Sequence, residues 1–180
     1  MMPETKDWTW VLHRPCPECS LDTRSFARED IPTIIGANTA SWQQALTASA
    51  DPAARPAPGT WSPVEYACHV RDLLVLCDYR LNLMLTQDDP LFANWDQDEA
   101  AVTGQYGEQA LTEVAAQLRD AANTAVSRFA KVAGGQWLRK GRRGDGAQFT
   151  VETFGRHLVH ETVHHLYDVT GVRYGDPQRS

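Results

Sequence analysis

Four stretches of about 20 residues repeat apolar side chains at the three-to-four spacing of a helix, and proline or glycine cuts off each one. The first runs from Phe26 to about Ala50 on Ile31, Ile34, Ile35, Trp42, Ala45 and Leu46, and it ends before Pro52. Pro52, Pro56, Pro58 and Gly59 make the following segment a rigid connector. The second has the best start signal in the chain: Ser62 as N-cap, Pro63 at the first helical position and Glu65 placed to close a capping box. It extends to about Thr86, where Asp88, Asp89 and Pro90 stop it. The third fits Glu108 to about Val132 on an alanine-rich stripe, ahead of Gly134 and Gly135. The fourth starts on Thr150 as cap and runs to Thr170, with Gly171 to end it. Four helices with one apolar stripe each predict an all-α four-helix bundle. No alternation is long enough to predict a sheet, so Pro90 to Gly107 and Gly134 to Gln148 read as loops.

A chain of 180 residues fits one domain and buries a core without disulfides. The expected organisation is an irregular N-terminal arm over residues 1–25, pinned by Trp8 and Trp10, a helical bundle over 26–172 and a tail over 173–180. The net charge of −6 opposes a phosphate backbone, so no nucleic-acid partner is expected. The one basic cluster, Arg139, Lys140, Arg142 and Arg143, sits among glycines and reads as a solvated loop. Met1 to Trp10 lacks the apolar run of a signal peptide, and no stretch reaches the ~18 apolar residues of a membrane span. The expected location is therefore the cytoplasm, with the four cysteines as thiols. Cys16 and Cys19 form a C-x-x-C with no second pair to complete a four-cysteine site; a local thiol pair is the reading, with His13 a candidate additional ligand.

Five of the six histidines lie in the second and fourth helices, and His157, His160, His164 and His165 crowd the fourth. Imidazole is a mediocre helix former, and a solvated face is normally built from Glu, Lys and Arg, so this density asks for another cause. His160 and His164 stand one turn apart and can reach a single ion. His69 shares a face with Tyr66, Leu73 and Leu76, which carries its ring towards the bundle interior and makes it the natural third ligand. Three neutral imidazoles leave a coordination position open, as catalytic sites require. Spacing leaves other pairs available: His157 with His160, Glu161 with His165, or His164 with Asp168. Zinc is the first expectation for the metal, with nickel or iron as alternatives.

Trp61-Ser62-Pro63, Glu65 and His69, followed by the His160 and His164 pair, resemble the DinB-like superfamily over roughly Phe26 to Thr170. The resemblance implies a four-helix bundle with a long-crossover topology and a divalent metal held by one histidine of the second helix and two of the last. By position these are His69, His160 and His164, although the doubled His164-His165 leaves the register of the last ligand open by one residue. It also implies a metal-dependent enzyme acting on a small molecule. That enzyme is either a hydrolase or a transferase or isomerase using a thiol such as mycothiol or bacillithiol. The alternative is a metal-stabilised module that binds a ligand without turnover. Glu161 and Asp168 are candidates to orient a ligand imidazole, Arg71 is a candidate to meet a carboxylate, and the alanine-rich and aromatic faces suit a homodimer.

Overall fold

The computed structural model describes residues 8–177; the first seven residues of the arm, most of the segment scanned for a leader and the last three of the tail lie outside them. Five α-helices carry the described chain: α1 (Ile31–Ala48), α2 (Pro63–Thr86), α3 (Gln97–Thr103), α4 (Leu111–Phe129) and α5 (Val151–Thr170). The four long ones are those the apolar spacing predicts. α2 starts on the predicted cap: Glu65 N donates to Ser62 Oγ at 3.3 Å, and Ser62 N donates back to Glu65 Oε2 at 2.8 Å. α5 starts on Thr150, whose side chain accepts from Thr153 N, and ends on Gly171 at φ 68°, a left-handed turn that glycine adopts without a Cβ penalty.

The long helices pack in the cyclic order α1, α4, α2, α5. Chain-adjacent α1 and α2 are thus diagonal to one another, as are α4 and α5, so long connections must cross the bundle. Trp42 in α1 is fully buried and its Nε1 donates to the Thr162 carbonyl of α5 at 3.2 Å. Arg128 of α4 grips Asp78 of α2 through two bonds of 2.5 and 2.8 Å.

Three short strands correct the expectation of an all-α chain. β1 (Leu91–Phe92), β2 (Lys140–Arg143) and β3 (Gln148–Thr150) form a sheet in that order, β1 parallel to β2 and β2 antiparallel to β3. Runs of two to four residues are too short for alternation to register in a sequence, which is why both segments read as loops. Gly141 opposite Phe149 is obligatory, since a Cβ there would lie 2.5 Å from Phe92 Cζ and 2.9 Å from Met84 Cγ. The basic cluster is also less solvated than predicted. Arg139 donates to the Met84 and Gln87 carbonyls, each at 2.5 Å, and so satisfies groups that the end of α2 leaves open.

Candidate metal centre and cleft

A cleft of about 1160 Å³ opens between α2, α5, the segment after β1 and the β2–β3 turn. His157, Glu161 and His165 recur every four residues along α5 and line it, facing His69, Cys77 and Arg80 of α2. The long Pro90 to Gly107 connection contributes Trp95 and Asp96 to its wall.

At the cleft, His69 Nε2 and His165 Nε2 stand 3.1 Å apart. His69 is 1% exposed, with Trp95 stacked on its ring at 5.3 Å and Trp61 tilted against it at the same distance. His165 Nδ1 lies 3.0 Å from Asp168 Oδ2, and Glu161 Oε2 lies 3.8 Å from His165 Nε2. Burial, with the neighbouring His165 adding to it, pushes His69 down to about 3, so its ring is neutral at any ordinary pH. Glu161 is held below the usual carboxylate range: burial favours its protonated form, but His160, His157 and His165 outweigh that. An ionised carboxylate beside the neutral His69 ring and the His165 ring is a ligand set for a divalent cation.

Hydrogen bonds orient the two rings. If His165 gives its Nδ1 proton to Asp168, its Nε2 presents a lone pair to His69. His69 Nδ1 is buried and has no hydrogen-bond partner, so without a metal the proton of the neutral ring sits on Nε2 and donates to His165 Nε2; a cation bound between the two nitrogens would take the place of that proton. Two cis nitrogens bound to one ion at ~2.0–2.1 Å lie roughly 2.9–3.4 Å apart, a span that includes the observed separation.

The three histidines predicted as ligands divide between two clusters. His69 meets His165, whereas His160 and His164 turn one stripe further round α5 to the N-terminal arm. There they join Cys16 and Cys19, with one donor atom from each of the four residues within 4.8 Å of every other. Cys16 Sγ to His164 Nδ1 is 3.6 Å. Residues 160 and 161 differ by about 100° around the helix, so the facing element decides which stripe reaches α2. The Glu161 and His165 pair was open among the alternatives, and the periodic His157, Glu161, His165 stripe was the signal for it. Nothing in the spacing linked Cys16 and Cys19 to α5, since that contact spans 148 residues of sequence. Arg71, a candidate to meet a substrate carboxylate, is instead bound to Asp72, Gln109 and Gln117.

Arg80 is a charge that sequence reasoning passed over. It is 7% exposed, lines the cleft, donates to the Ala93 carbonyl at 2.7 Å and lies 5.5 Å from the Phe92 ring centre. Among the described residues no carboxylate pairs with it within 4.0 Å, and burial lowers its pKa.

Comparison with known proteins agrees with this architecture. Among curated proteins no sequence matches the chain. A solved structure, YfiT from Bacillus subtilis, superposes with a TM-score of 0.74 at 17% identity, covering 88% of this chain and 90% of that one. It is described as a probable metal-dependent hydrolase with an unusual four-helix bundle topology. At that identity the likeness establishes the fold. The sequence profile of the DinB superfamily matches residues 35–169, which spans α2 to α5 and nearly all of α1, and the chain belongs to the DinB superfamily.

Proposed function

We propose that the protein is a metal-dependent hydrolase of small anionic esters or amides, with its reactive centre at His69, Glu161 and His165. The observation that carries this is the 3.1 Å approach of two Nε2 atoms at a cleft wide enough for a substrate. The description of YfiT as a probable metal-dependent hydrolase supports the reaction class. His69 and His165 would hold the cation through Nε2, with Glu161 alongside. A divalent transition metal held there would supply Lewis acidity to a substrate carbonyl or to water.

The chain's own groups do the rest. Asp168 fixes the tautomer and orientation of His165 through Nδ1. Trp95 and Trp61 lock the His69 ring and keep water off its faces. Arg80 offers a desolvated guanidinium to a substrate carboxylate or phosphate, where a charge-assisted bond is strongest. Zinc, nickel or iron suits a set of two imidazoles and one carboxylate.

The breadth of the cleft favours a second reading, in which a low-molecular-weight thiol such as mycothiol or bacillithiol sits beside the acceptor and the centre performs thiol transfer. One experiment separates the readings. Metal-stripped and metal-restored protein is assayed on chromogenic esters and anilides with and without each thiol. Hydrolysis that needs metal but no thiol, and that falls at least ~100-fold in His69→Ala and His165→Ala, is the expected result. Full activity in either variant, or in stripped protein, contradicts the proposal.

A further inference from the structure

Cys16 and Cys19 come from a tight turn in the arm. Ser20 N donates to the Cys16 carbonyl at 2.9 Å, and Cys16 N donates to the Leu21 carbonyl at 2.9 Å. Ser20 sits at φ 65°, a left-handed conformation a serine adopts at some cost, and the turn it closes aims two thiols at α5. Cys16 and Cys19 are 1% and 0% exposed; His160 and His164 are 0% and 6% exposed. Four buried ligand-type side chains converge on one point with no disulfide between the thiols.

Hydrogen bonding accounts for part of the cluster only: Cys16 Sγ and His164 Nδ1 form a weak bond at 3.6 Å, which leaves His160 outside it. Neither ring nitrogen of the fully buried His160 has a hydrogen-bond partner, and orphaned buried imidazole is costly. Metal geometry does account for it. With Zn–S of ~2.3 Å and Zn–N of ~2.0–2.1 Å, a tetrahedral sulfur–nitrogen edge is roughly 3.6 Å. The Cys16 Sγ to His164 Nδ1 separation is 3.6 Å. The opposite nitrogen of His164, Nε2, points at Asp168 Oδ1 at 3.7 Å and Glu18 Oε2 at 3.8 Å, the carboxylate backing that ligating histidines usually have.

We infer that Cys16, Cys19, His160 and His164 bind a zinc ion as a closed, structural Cys2His2 site that clasps the N-terminal arm to α5. Two thiolates and two imidazoles fill a tetrahedral shell and leave no position for substrate. Trp8 seals it, its ring centre 5.4 Å from that of His160 and 4.9 Å from that of His164. None of the four residues lines the cleft. This ion is therefore a second one, separate from the cation proposed at His69 and His165. It shares Asp168 with that centre, since the two oxygens of this carboxylate face His164 and His165 respectively.

Cobalt substitution tests the inference on a protein carrying Cys68→Ala and Cys77→Ala, which leaves Cys16 and Cys19 as its only thiols. Thiolate-to-cobalt charge-transfer absorption with intense tetrahedral d–d bands is expected, and Cys16→Ser in the same background lowers the charge transfer to about half or less, since only Cys19 is left to supply it. His69→Ala and His165→Ala leave it in place, so loss of the catalytic cation and loss of this one are told apart. Bound cobalt with no thiolate band overturns the inference, as does a band of undiminished intensity in Cys16→Ser or a Cys16–Cys19 disulfide in the protein as purified under reducing conditions. Should Cys16→Ser fail to fold, the spectrum of the two-thiol protein decides by itself.

Discussion

Asp168 Oδ2 stands 3.0 Å from His165 Nδ1, one helical turn further along α5. The carboxylate accepts a hydrogen bond from Nδ1–H at one end of the ring, which leaves the lone pair on Nε2 at the other end, 3.1 Å from His69 Nε2. Removing such a partner costs a metal site roughly 10–100-fold in affinity. Asp168→Ala should weaken the cleft cation by that factor in a competition titration against a chromogenic chelator. An unchanged Kd would show that Asp168 has no part in orienting the ligand.

Arg80 separates function from stability. A buried guanidinium without a carboxylate partner is expensive to desolvate, and an apolar chain of similar length removes that cost. Arg80→Met is expected to hold or raise Tm while raising KM for a carboxylate-bearing chromogenic ester, with little effect on its uncharged analogue. A large fall in Tm, or equal losses on the two substrates, would place Arg80 in the scaffold instead.

The start of α2 carries an acid-sensitive contribution. Burial raises the pKa of Glu65, but Arg55 and Ser62 outweigh it, and the net shift is downward. A carboxylate with a folded pKa below its unfolded one adds stability that is present above its ordinary value near 4.5 and disappears as pH falls through the folded pKa. Glu65→Gln should therefore be less stable than the wild type at pH 6–7, and the difference should shrink below about pH 4. A gap that stays constant over that range would mean the charge of Glu65 contributes nothing.

Gly155 allows α5 to approach its neighbours. A Cβ there would lie 2.8 Å from Ile31 Cδ1 and 2.8 Å from Phe129 Cε1, both in a packed core. Alanine is the better helix former, worth about 1 kcal/mol in an exposed position, so the sign is informative. Gly155→Ala is expected to destabilise by about 1–3 kcal/mol in urea denaturation through overpacking. A stabilised variant would mean that Phe129 and Ile31 have room to yield.

The long helices were legible because their signals are local: Ser62, Pro63 and Glu65 specify a start within four residues, and Gly171 specifies a stop. The sheet was hidden because its strands are shorter than the period needed to see them, and α3 because a seven-residue helix capped by Asp96 leaves only about two turns of pattern. The spacing points to imidazoles on α2 and α5 but leaves the register open, since His164 and His165 are adjacent and only the position of α2 decides which of them faces His69. The thiols were visible as half of a motif. His160 and His164, which they approach, lie on α5, and long-range contacts of this kind leave no trace in spacing.

The central claim is that the reactive cation lies between His69 and His165. Anomalous diffraction from a crystal of the zinc-loaded protein, recorded at the metal edge, tests it directly. The expected map has a peak within ligand distance, ~2.0–2.2 Å, of both Nε2 atoms at the cleft. A peak that joins His69 to His160 and His164, or no peak at the His69–His165 pair in zinc-loaded, hydrolytically active protein, would contradict it.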